Sequence, residues 1–142
     1  MIKIIAAAFA GTIVYFLIGW LVFEGILGKY MSDNTTQILG FKKNEEEASM
    51  LMLIVSCAAY ASLLSIIFSE WAHINTFKQG AILGAIIGVL VAFMTNSYWF
   101  STTHFFNSIT PVAVDIAAAG LTVGIMGGVI AWVLGYTNTQ SL

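Results

Sequence analysis

Four long apolar runs constrain this chain more than any other feature. A helix rises about 1.5 Å per residue, so roughly 20 apolar residues cross the hydrocarbon core of a bilayer. Runs of that length occupy residues 2–27, 45–71, 78–100 and 111–136. Of the 142 residues, 59% are apolar and 8% charged, where soluble domains carry about 25% charged residues. Inside a bilayer every backbone N–H and C=O must find its partner within the protein, and no alternating run here signals the strands of a barrel. The expected fold is all-α, a single membrane domain built as an integral membrane four-helix bundle.

Local signals place the boundaries. Asn44 followed by Glu47 three residues on has the form of a capping box, and Glu45 and Glu46 add favourable charge, so the second span is expected to start near Glu45. Lys78 opens the third. Thr110-Pro111 pairs a capping hydroxyl with a proline suited to the first helical turn, which predicts the start of the fourth. Lys29 to Glu47 reads as a loop, Ser101 to Ile109 as a polar and aromatic connector, and Thr137 to Leu142 as a short polar tail.

An even number of spans puts both termini on one side. The lysines divide between the two faces, and Lys3 at the head of the first span points the termini towards the cytoplasm. The run after Lys3 is too long for a signal-peptide core. A net charge of −2, with no arginine and five dispersed lysines, offers no surface for nucleic acid. The single cysteine, Cys57, reads as a small packing residue.

Counting by fours along the third span gives Gly80, Gly84, Gly88, Ala92 and Asn96, and the fourth repeats the device with Gly120, Gly124 and Gly128. Apolar side chains gain little from leaving lipid for one another, so membrane helices associate through small residues that let backbones approach. These two spans are expected to touch. Cys57, Ala61, Ser65 and Ser69 make a softer series in the second span, and Ala7, Gly11 and Gly19 in the first. The series would serve contacts within one chain or between chains, as in a homo-oligomer or an assembly with a larger membrane partner.

Ionisable residues in a span are costly and so mark candidate sites. Glu24, Glu70 and Asp115 qualify, each near a span end. Alternation of the spans brings Glu24, Asn96, His104 and Asp115 to one end of the bundle, beside the first loop, as the candidate polar site. The two histidines, His73 and His104, fall at opposite ends, so no metal site is expected, and no motif for a cofactor, a phosphate or a catalytic nucleophile is found.

Gly19-Trp20-Leu21-Val22-Phe23, then Gly28-Lys29-Tyr30-Met31, the acidic Glu45 to Glu47, the third-span glycines, and Asp115 with Ile125-Met126-Gly127-Gly128 together resemble the domain-of-unknown-function 1761 family of small bacterial four-span membrane proteins. Glu24 and Gly25 stand where that family places a small polar residue and a proline. The resemblance implies the fold and a bacterial cytoplasmic membrane, and no activity. Three functions fit the residues: a structural, accessory or self-associating membrane subunit; a transporter or channel component for an ion or small solute; and an interfacial enzyme using His104 with Asp115.

Overall fold

A computed structural model describes residues 1–44 and 46–139. Helix α1 (Ile2–Gly19) widens without a break into a π-helical stretch (Trp20–Ile26) and is followed by a short α2 (Gly28–Asn34). Helix α3 (Met50–Ile66) widens in the same way over Ile67–Trp71, and α4 (Phe77–Thr102) and α5 (Ile109–Thr139) complete the chain. Among the described residues four helices are long and apolar enough to cross a membrane, Ile2–Ile26, Met50–Trp71, Phe77–Thr102 and Ile109–Thr137. The fold is all-α, and the one β-type pairing among the described residues is an isolated antiparallel bridge between Thr35 and Phe106.

Helix α5 is the centre. Over its most apolar window 56% of residues are buried, against 11–28% for the other three spans. It packs along α4 and α1, and α3 lies mainly against α1. The core joins Ala7 of α1, Ala61, Leu64 and Phe68 of the α3 segment, and Val123, Met126, Ile130 and Leu134 of α5. Most other large apolar side chains point outward, as they must where lipid is the solvent.

The glycine series lie in the α4–α5 contact. A Cβ on Gly84 would stand 2.6 Å from the Val123 carbonyl oxygen, and one on Gly88 would stand 2.8 Å from that of Ala119. Gly80 meets the carbonyl of Gly127 and the Cβ of Ala131. The α5 glycines are set the same way: Gly124 faces Ala81 and Ala85, Gly120 faces Val89, and Gly128 is covered by the Phe77 ring. The closest approach runs through Gly127, which lies beside the expected series and not in it. In the first span, Gly11 sits where α1 meets both α3 and α5, with Ala61 and Ile130 against it, whereas nothing lies near Gly19.

Several expected boundaries move. Asn44 Oδ1 does accept the Glu47 N–H at 2.9 Å, but the turn it closes is not continued. Helix α3 starts at Met50, where Ser49 accepts the Met52 N–H, because a second capping hydroxyl closer to the apolar run captures the free donors. Glu45 lies outside the described residues. The third span starts at Phe77, capped by Thr76. The fourth starts at Ile109, so Thr110 is inside the helix, and Pro111 sits in its first turn, where a missing N–H costs nothing. Part of the expected first loop is helical, α2, which continues the first span after the π-helical stretch.

Both π-helical stretches end on five-residue hydrogen bonds, Leu27 N–H to Val22 O and Ala72 N–H to Ile67 O, each 2.8 Å. After the second, His73 takes a left-handed φ of 50°, with its Nδ1 3.1 Å from the Ser69 carbonyl oxygen. It closes the helix from the exposed side.

Replacing Gly84 by alanine should separate α4 from α5 and cost about 1–3 kcal/mol, while Gly19→Ala, in open space, should cost nothing measurable. Thermal unfolding followed by circular dichroism in detergent checks the pair. Equal melting temperatures would show that the close approach carries no stability.

Candidate functional site

The antiparallel register of α4 and α5 continues past the glycines to a polar pair. Asn96 is six residues from the end of α4 and Asp115 six from the start of α5, so both lie about 9 Å in from the helix ends. At equal depth on facing helices they meet: Asn96 Nδ2 donates to Asp115 Oδ2 at 2.5 Å. Asn96 is buried and Asp115 half-buried. An amide donor on a carboxylate is the partner such a group needs where water is scarce.

The pair lines a cavity of about 660 Å³ that opens at the same end of the bundle. This is the size range of small-molecule sites. Its first wall is the widened end of the first span, which brings Phe23 and Glu24 to the cavity. Opposite are Thr95, Asn96 and Trp99 of α4, and the roof comes from α2 and the loop after it. Glu24 stands at the rim, 3.6 Å from Lys42, with both side chains more than half exposed. An ion pair that wet contributes little, about 0–1 kcal/mol.

Two loops far apart in sequence hold the roof to the α4–α5 connector. Thr36 N–H donates to Phe105 O at 2.7 Å, Asn107 N–H donates to Asn34 O at 3.1 Å, and the Thr36 hydroxyl donates to the carbonyl of His104. This latch sets the aromatic side of the cavity. Phe105 lies at its middle, with ring centroids 4.9 Å from Phe106, 6.1 Å from Trp99 and 6.3 Å from Phe41. All four rings line the cavity.

Of the four expected site residues, Glu24, Asn96 and Asp115 line one cavity, and only Asn96 and Asp115 touch each other. His104 contributes its backbone carbonyl to the latch, while its side chain is exposed and lines no part of the cavity. No hydrogen bond or ion pair joins His104 to Asp115 among the described residues. Sequence reasoning missed Phe41, Phe105, Phe106 and Thr36. The aromatic run in the connector was the available signal, but the pairing that aims it inward spans about seventy residues and leaves no local trace. Glu70, at the other end, is exposed and accepts from the Ser69 hydroxyl at 3.1 Å. Among the described residues no three His, Cys, Asp or Glu side chains gather as metal ligands do.

No family model, curated protein or solved structure matches the chain.

Removing both members of the Asn96–Asp115 pair should cost less than the sum of removing each alone. Asn96→Ala leaves the carboxylate without its donor, a loss of about 1–3 kcal/mol, and in Asn96→Ala/Asp115→Ala the two losses should fall short of their sum. A double-mutant cycle on denaturant unfolding in detergent measures the difference; additive losses would mean that the hydrogen bond has no energetic weight.

Proposed function

We propose that this chain is an integral membrane protein of the bacterial cytoplasmic membrane, akin to the four-span group it resembles, and that its cavity receives a small solute, as in a transporter or channel component. The observation that carries this reading is the Asn96–Asp115 pair in the wall of an open cavity. A carboxylate held about 9 Å inside the helix ends is costly and serves packing poorly. The polar character continues towards the middle of the bundle. Tyr15 and Tyr60 meet edge to face at 5.5 Å, and the Tyr60 hydroxyl and the fully buried Ser65 hydroxyl have no hydrogen-bond partner among the described residues. Hydroxyls left open in that region suit a path that is wet or occupied in another state.

The structural, accessory or self-associating reading keeps one specific support. The first two turns of α3, Met50 to Ser56, are exposed on every side and so offer an apolar surface to a second chain as well as to lipid. The α4–α5 glycines no longer support it, since they are covered within the chain.

With the termini in the cytoplasm, the cavity opens to the opposite face. In a Cys57→Ser background, Thr95→Cys in the cavity wall should react with a membrane-impermeant maleimide added from that face, and Leu90→Cys on the outer surface of α4 should not. Labelling of intact cells checks both access and sidedness. Thr95→Cys as inert as Leu90→Cys from both faces would overturn the cavity reading, and labelling from the cytoplasmic face alone would reverse the orientation.

A further inference from the structure

We propose that the cavity selects an organic cation, a protonated or quaternary amine, holding its charge at Asp115 and its apolar body against the rings around Phe105. The proposal rests on the reading that this cavity takes a small solute, and it names the chemical class.

The charges decide the sign. Lys42 and Glu24 pair with each other at the rim, so the charges of the lining left outside that ion pair are Asp115 and the exposed Lys43. Asp115 is different, since its partner is an amide and no lysine or histidine lies within ion-pair distance of it among the described residues. Oδ2 accepts from Asn96, and Oδ1 has no protein hydrogen-bond donor among the described residues. A charge so placed calls for a counter-charge that the protein does not supply within ion-pair distance. An anionic solute would be repelled by the carboxylate. A neutral one would leave it uncompensated.

The wall decides between organic and inorganic cations. Metal ions such as Ca²⁺ demand six or more oxygen ligands. Here the lining carries two carboxylates, Asp115 and the ion-paired Glu24, no three metal-ligating side chains gather among the described residues, and the connected rings Phe41, Phe105, Phe106 and Trp99 line the same cavity. Aromatic faces attract an alkylammonium group through their quadrupoles and give its hydrocarbon part an apolar seat. Lys43, exposed at the rim, stands where it would meet an anionic group on the outer part of the ligand. The amine can thus belong to a free solute or to the head group of an ethanolamine lipid.

The test uses the full chain in phosphatidylglycerol nanodiscs with radiolabelled 2-phenylethylammonium as probe, and 2-phenylethanol and phenylacetate as neutral and anionic competitors. Saturable binding is expected, at least about tenfold weaker in Asp115→Asn and unchanged in Glu70→Gln, an exposed carboxylate at the other end of the bundle, with neither competitor displacing the probe. Should Asp115→Asn fail to fold, Phe105→Leu decides, since it keeps apolar bulk but removes the ring and should weaken the cation by about threefold. Discs containing phosphatidylethanolamine that suppress binding assign the site to a lipid head group; undiminished binding assigns it to a free amine. Displacement by 2-phenylethanol, or full affinity in folded Asp115→Asn, overturns the cation class. Protection of Thr95→Cys from maleimide separates the two levels: protection by the neutral or anionic compound but not by the amine overturns the class and keeps the cavity reading, whereas protection by none of the three overturns both.

Discussion

The close approach of α4 to α5 is the constraint from which the rest of the molecule follows. Without side chains at Gly80, Gly84 and Gly127 the two backbones come into direct contact, and dispersion between them replaces the hydrophobic force that lipid does not provide. A slip of one residue would put Leu83 or Ala85 in the place of Gly84 in that contact. The register that satisfies the glycines also brings Asn96 level with Asp115, so the polar pair is placed by packing several turns away, and its hydrogen bond completes an arrangement that the small residues have already set.

The cavity owes its other half to the connections. Lysine, threonine and asparagine in the first loop would be well solvated anywhere, yet the Thr35–Phe106 bridge and its neighbouring bonds give them one position over the bundle end. Because the same bridge turns Phe105 and Phe106 inward, roof and aromatic wall form together.

The spans were legible because the bilayer length imposes a long, unambiguous pattern, and the α4–α5 pairing because small residues at every fourth position have few other uses. Asn96 was legible as the fifth member of that series, and Asp115 as one of three carboxylates near a span end. Caps were harder to read: Asn44 and Ser49 both offer a good side-chain acceptor, and only the position of the apolar run against its neighbours selects the second. His104 was misleading because proximity in the chain to the right end of the bundle does not aim a side chain. Phe105, one residue on, lines the cavity.

The two π-helical stretches divide the molecule mechanically. They widen the ends of the first and second spans, at opposite faces of the bundle, and neither α4 nor α5 contains one. A five-residue hydrogen-bonded turn is more loosely closed than a four-residue one. The glycine-packed α4–α5 hairpin thus has regular helical bonding throughout its described length, and each of the other two spans carries one wider turn. Bending at Trp20–Ile26 would carry Phe23 and Glu24 across the mouth, while bending at Ile67–Trp71 would loosen the far end around Phe68.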